Sequence, residues 1–130
     1  MKKMKMKKIK ILLIDDEIEF TSTLAERLEL RGFDAKTTDN GESGIELIRN
    51  ELFDIAIIDL MMPGISGLET LKQVKTFNTK LPVILLTGHG STKEGMEGIR
   101  IGAVDYLMKP LDINDLLEKI RDILKDNDNK

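Results

Sequence analysis

Several apolar runs of this sequence, each typical of a buried strand, end in a side chain capable of polar chemistry. Cysteine is absent and histidine occurs once, which excludes a disulfide scaffold, thiolate sites and multi-histidine metal sites. Carboxylates brought together in such a chain would repel one another unless a hard cation such as magnesium lay between them. The polar side chains in question are Asp15 with Asp16, then Asp59, Thr87 and Lys109.

The elements that must position these side chains alternate regularly along the chain. Each apolar or β-branched run is followed by a segment in which apolar residues recur at helical spacing. Uninterrupted apolar strands separated by helices predict an α/β fold, a doubly wound five-stranded parallel sheet in the order 2-1-3-4-5 with five helices. Strands are predicted at residues 9–14, 34–38, 53–58, 82–86 and 104–108, and the last two helices at residues 92–101 and 113–124.

This topology predicts where a site would lie. In open parallel sheets, ligands bind beyond the carboxyl ends of the strands at the point where the winding direction reverses, here between the first and third strands. Taken singly, Asp59 could be a turn former, Thr87 an ordinary strand residue and Lys109 a solvated side chain. Their arrival at one edge of the sheet, together with the acidic pair, favours a functional site.

Composition and charge limit the other possibilities. The 130 residues suffice for one domain, predicted at residues 9–125 between a basic tail (residues 1–8) and a polar tail (residues 126–130). The first ten residues contain six lysines, and the remaining 14 basic and 23 acidic residues give the body a net charge of −9. An acidic body argues against nucleic-acid binding, and the apolar runs are too short for a membrane span or an export signal. We therefore expect a cytoplasmic protein.

With their neighbours, the polar residues resemble a known family, the receiver domain of bacterial two-component response regulators. Residues 15–17 (DDE), 59–64 (DLMMPG), 87–88 (TG) and 109–110 (KP) follow the first, third, fourth and fifth strands in that family's order. The resemblance covers residues 9–124, nearly the whole chain. It implies the CheY-like, flavodoxin-like form of the predicted fold.

The resemblance also implies a reaction and a metal. Asp59 would accept a phosphoryl group from a phosphohistidine on a sensor histidine kinase or a histidine phosphotransfer protein. Asp16, Asp59 and the backbone carbonyl of Met61 would hold Mg²⁺ or Mn²⁺, and Asp15 would assist through a water molecule. A cation there would offset both the carboxylate repulsion and the charge of the transferring group.

Further roles follow from the same resemblance. Lys109 and Thr87 would each bind a phosphoryl oxygen, and Thr87 with Tyr106 would form the conformational switch. The Lys109–Pro110 peptide bond is a candidate for the cis isomer. Met61 and His89, each two residues beyond a site residue, would form the rim of the site and set how easily water reaches the acyl phosphate.

The predicted function is that of a stand-alone receiver, a phosphoacceptor rather than an enzyme. Its output would be the surface formed by the fourth helix, fifth strand and fifth helix, read by a separate effector protein. We expect a monomer, with dimerisation on phosphorylation left open. The alternatives are a small-molecule aspartyl-phosphate hydrolase, a flavodoxin-like cofactor binder and a receiver-fold interaction module that is not phosphorylated. A small-molecule hydrolase would need a cap over its substrate and a second acid, but the sequence leaves no room for a cap and has Met61 where that acid would stand. In a flavodoxin-like binder, the acidic residues 15–17 would repel the cofactor phosphate.

Overall fold

The structure is a computed structural model that describes residues 8–88 and 92–128. Its five parallel strands form one sheet in the order β2-β1-β3-β4-β5, which confirms the predicted topology. Strands and helices alternate along the chain: β1 Lys10–Ile14, α1 Ile18–Leu30, β2 Asp34–Thr38, α2 Gly41–Asn50, β3 Ile55–Asp59, α3 Gly67–Phe77, β4 Val83–Thr87, α4 Thr92–Ile101, β5 Asp105–Met108 and α5 Ile113–Asp128.

Two apolar cores, one on each face of the sheet, hold the strands in place. Alternate side chains of the central strands point to opposite faces, so Leu12 and Ile58 contribute to one core while Leu13 and Ile57 contribute to the other. Helices α2, α3 and α4 cover the first face, and α1 and α5 cover the second. Each fully buried Leu or Ile stabilises the fold by roughly 1.5–3 kcal/mol relative to an exposed position. The sheet is therefore a firm base for whatever its strand ends carry.

The strand register brings the predicted site residues to one edge. Ile14 at the end of β1 pairs with Ile58, next to Asp59, and Thr87 at the end of β4 pairs with Met108 of β5. The segments that follow these strands consequently start side by side. This confirms the expected meeting of strand ends at the reversal point of the sheet.

The boundaries differ from the predictions in small ways. Helix α5 extends to Asp128, three residues beyond the predicted end of the domain, because a polar sequence can continue a helix that an apolar stripe has already docked. Most of the basic tail, His89 and the last two residues lie outside the described residues. Within the described ranges, no helix is both long and apolar enough to cross a membrane.

Close approach of α3 to the end of β3 depends on Gly67. A Cβ atom at this position would lie 2.7 Å from the Cα of Leu60 and 2.9 Å from the carbonyl carbon of Asp59, and backbone atoms cannot rotate away as a side chain can. We expect Gly67→Ala to lower the free energy of unfolding by about 2–3 kcal/mol through this overpacking, measured by urea denaturation. Gly88→Ala is the control, because no atom of the residues that the structure describes lies within 4 Å of its Cβ position. Equal stability of the two variants would contradict the prediction.

Candidate functional site

Three carboxylates meet at the carboxyl edge of the sheet. Asp15 follows β1, Glu17 precedes α1 and Asp59 ends β3, and one oxygen of each lies within 4.8 Å of the others. Asp15 and Asp59 are only 2% and 5% exposed, because the central strands and their loops cover them. Glu17 has a side chain that is 61% exposed. The cluster thus has a buried floor of two carboxylates and one carboxylate at its mouth.

Lys109 brings a positive charge to this cluster from the loop between β5 and α5. Its Nζ lies 2.8 Å from Oδ2 of Asp15, in direct contact with Oε1 of Glu17, and 3.7 Å from Oδ1 of Asp59. The ammonium group also lies 4.5 Å from the centre of the Phe20 ring, within range of a cation–π interaction. The Lys109–Pro110 peptide bond is cis.

The surroundings of Asp59 disfavour a negative charge on this carboxyl group. Burial and then the neighbouring charge of Asp15 raise the pKa of Asp59 to about 7, although Lys109 and the backbone N–H of Met61 oppose this rise. Burial alone would lower the pKa of Lys109, but its contacts with Asp15 and Glu17 raise it above its ordinary value. Lys109 therefore stays charged, yet one ammonium group does not balance three carboxylates.

The cluster fits a divalent cation. Oδ2 of Asp15 is buried and is faced by the ammonium of Lys109 at 2.8 Å, and the same ammonium also contacts Glu17 and lies 3.7 Å from Asp59. One positive charge is shared among three carboxylates, two of them buried, which is costly unless a further cation binds. The donors are all oxygens, which suits Mg²⁺ or Mn²⁺ rather than zinc.

Sequence reasoning placed Asp16 in the metal site, and the structure adds its neighbour Glu17 to the carboxylate cluster. Asp16 is exposed and is not one of the three clustered carboxylates. The backbone N–H of Glu17 donates to Oδ1 of Asp15 at 3.0 Å, a tight local turn that orients the start of α1. Met61 carries a side chain that is 66% exposed. The ligand roles of Asp16 and of the Met61 carbonyl stay predictions.

The predicted switch residues lie on adjacent strands. Thr87 is fully buried, and its hydroxyl makes a long, 3.5 Å hydrogen bond to the carbonyl of Leu107. Tyr106 is half-buried, with its ring packed under α4 where Gly95 leaves room: a Cβ there would lie 2.9 Å from ring atoms. The close approach of α4 to Tyr106 is a contact that sequence reasoning missed, although Gly95 was the signal for it.

A cleft of about 660 Å³ lies beside the cluster, between α1 and the loop that carries Lys109. Phe20 and Leu24 of α1 form one wall, and Pro110 and Leu111 form part of the other. Arg27 adds a positive charge from α1. Sequence reasoning did not find this cleft, because it depends on how α1 packs against a loop more than 80 residues away.

Comparison with known proteins now identifies the class of protein. The family model for the response regulator receiver domain matches residues 11–121, and this chain belongs to that family, the receiver domains of two-component systems. Its carboxyl-edge cluster and cis peptide lie on the segments that carried the resemblance in the sequence.

Particular relatives and solved structures agree with that assignment. The chain is 39% identical over 116 residues to the transcriptional regulatory protein CpxR homolog of Haemophilus influenzae, and 40% identical to CpxR of Escherichia coli K12; the match covers 89% of this chain and 50% and 49% of those proteins. The chain thus spans about half the length of these curated relatives. It resembles the CheY-like receiver domain protein of Methanospirillum hungatei with a TM-score of 0.90 and 28% identity, over 95% of this chain and 98% of that one. For a receiver domain of Clostridium thermocellum the TM-score is 0.88 with 30% identity, over 92% and 97% of the chains.

Proposed function

We propose that the chain accepts a phosphoryl group on Asp59 from a phosphohistidine of a sensor histidine kinase or a histidine phosphotransfer protein, with Mg²⁺ or Mn²⁺ bound beside it. The observation that supports this most strongly is the place of Asp59, a buried carboxylate at the reversal point of the sheet with Asp15 and Lys109 beside it. The cytoplasmic location predicted from the sequence is part of the same proposal.

The chemistry requires little more than positioning and charge. A carboxylate oxygen of Asp59 attacks phosphorus, the phosphorus–nitrogen bond of the donor histidine breaks, and the departing imidazole nitrogen takes up a proton. Bound Mg²⁺ would neutralise charge on the transferring group; Asp15 and Asp59, with Asp16 and the Met61 carbonyl as predicted, would hold it. Lys109 lies close enough to Asp59 to meet a phosphoryl oxygen there. In this proposal the chain is a phosphoacceptor that assists its own phosphorylation and dephosphorylation rather than an enzyme.

The output surface we propose consists of α4, β5 and α5. Tyr106 links this surface to the site, since its ring lies under α4 and its strand leads to Lys109. The same region exposes three apolar side chains to solvent. Met96 lies on α4, Val104 directly precedes β5, and Met108 is the last residue of β5. A change in Tyr106 or Thr87 on phosphorylation would alter this surface for a separate effector protein.

Intact mass after incubation with phosphoramidate tests the proposal. We expect a mass increase of one phosphoryl group that needs Mg²⁺ or Mn²⁺ and is removed by hydroxylamine, as an acyl phosphate is. Borohydride reduction followed by peptide mapping should place the group on Asp59. An adduct elsewhere, or no adduct with every donor tried, would overturn the proposal and leave an interaction module that works without phosphorylation.

A further inference from the structure

We propose that Glu17 is a positioning residue that holds Lys109 away from Asp59 until a phosphoryl group arrives. This inference rests on the proposed function and assigns a role to a residue that sequence reasoning left without one. It concerns the unphosphorylated site, in which the Lys109 ammonium contacts other groups before a phosphoryl oxygen is present.

The ammonium group of Lys109 lies beside the acceptor Asp59 rather than on it. Nζ of Lys109 is in contact with Glu17 and lies 2.8 Å from Asp15, but it is 3.7 Å from the nearest oxygen of Asp59, beyond hydrogen-bond distance. The Phe20 ring lies on a further side of the ammonium, 4.5 Å away. Lys109 thus occupies a place made by Asp15, Glu17 and Phe20, next to the acceptor but not on it.

The Glu17 side chain does not cap the helix that it precedes. Glu17 is the N-cap residue of α1, yet its side chain makes no capping hydrogen bond. The two helices α2 and α3, by contrast, begin with residues that do: Asn40 accepts from the backbone N–H of Ser43, and Ser66 accepts from that of Glu69. Short polar residues are preferred at this position because they cap. A glutamate there is explained by its contact with Lys109.

The two carboxylates that hold Lys109 differ in their exposure to solvent. Asp15 is fixed in the floor of the site, whereas the Glu17 side chain is 61% exposed and can exchange its partner for water. A phosphoryl group on Asp59 carries more negative charge than one carboxylate and competes for the same ammonium. Glu17 would then release Lys109, so phosphorylation requires the contact between these two side chains to break. Its removal should speed phosphorylation.

Two variants with the same change in charge test this role. Glu17→Gln removes one of the two carboxylates that contact Lys109, and Glu19→Gln removes a carboxylate two residues further along α1, outside the carboxylate cluster. At saturating Mg²⁺, we expect Glu17→Gln to be phosphorylated by phosphoramidate about two- to fivefold faster than the parent, the size expected for an ion pair with one exposed partner. Glu19→Gln should keep the parent rate.

A second readout follows Lys109 directly. In metal-free, donor-free protein labelled with ¹³C-lysine, the εCH₂ signals of Lys109 should be shifted by the Phe20 ring, and Glu17→Gln should move them while Glu19→Gln should not. Unmoved Lys109 signals, or a Glu17→Gln rate equal to that of Glu19→Gln, would overturn the inference. A slower Glu17→Gln would also overturn it and would make Glu17 a metal ligand. Failure of the proposed function itself would look different, since no variant would then form an adduct.

Discussion

Asp59→Asn is expected to abolish the Mg²⁺-dependent phosphoryl adduct and, at the same time, to stabilise the metal-free protein above neutral pH. The first effect follows from the loss of the attacking carboxylate oxygen. The second follows from burial, which together with the charge of Asp15 raises the pKa of Asp59 from 3.8 to about 7. A group whose pKa is raised by folding stabilises the folded state below its unfolded pKa and loses that contribution as the pH rises through its folded pKa.

The pH dependence of stability provides the measurement. At pH 8 the folded parent holds a buried, charged Asp59, and the asparagine variant does not, so its free energy of unfolding should be higher by at most about 4 kcal/mol. The difference should shrink towards pH 5, where Asp59 is protonated in the folded parent. Saturating Mg²⁺ should reduce it at pH 8 by stabilising the parent.

Asp54→Asn is the matched control, because Asp54 lies just before β3 and accepts a hydrogen bond from the backbone N–H of Lys10, at the opposite end of the strand from Asp59. This variant should keep the adduct and gain no stability between pH 5 and 8. A phosphorylated Asp59→Asn, or an unfolding free energy that follows the parent's at every pH, would contradict the prediction.

The convergence of Asp15, Asp59, Thr87 and Lys109 could be predicted because it depends on few choices. Apolar strands separated by helices leave a parallel sheet as the natural solution, and right-handed crossovers restrict its order. Once the order is known, the residues after the strands must meet at one edge. The pattern of apolar residues carries this information in every strand, so an error of one or two residues at an element boundary does not change the outcome.

The place of Glu17 in the cluster could not be predicted in the same way. It depends on the turn between β1 and α1, in which the backbone N–H of Glu17 donates to Oδ1 of Asp15. The side chain of Thr87 illustrates the same limit, since its hydroxyl bonds to β5 in a direction that the sequence does not record. Such details depend on a few dihedral angles, whereas the fold depends on the summed burial of many side chains.

Lys109→Met is expected to slow phosphorylation about 100-fold, the loss typical of removing one preorganised charge or donor from a buried transition state. Methionine keeps much of the unbranched stem and can still pack near Phe20, so the variant removes mainly the ammonium. Because Lys109 opposes the effect of burial on Asp59, its removal should also raise the pKa of Asp59 above about 7 in the metal-free protein. Asp59 would then be mostly neutral at pH 7 and a poor nucleophile until a divalent cation binds.

Two further variants distinguish loss of the Lys109 charge from general damage to the protein. Lys119→Met is the matched control and should keep the parent rate. Lys119 lies on α5, away from the cluster, and its Nζ is 2.6 Å from Oδ2 of Asp105 on β5. The pKa of Asp59 can be followed by the pH dependence of its carboxyl ¹³C signal, assigned with Asp59→Asn. Lys109→Arg retains the charge but exchanges a compact ammonium for a planar guanidinium, so it should leave the pKa of Asp59 near about 7 while restoring only part of the rate. A Lys109→Met protein that is phosphorylated at the parent rate would show that phosphoryl transfer does not depend on the Lys109 ammonium. The proposed role of Glu17 in positioning Lys109 would then fall as well.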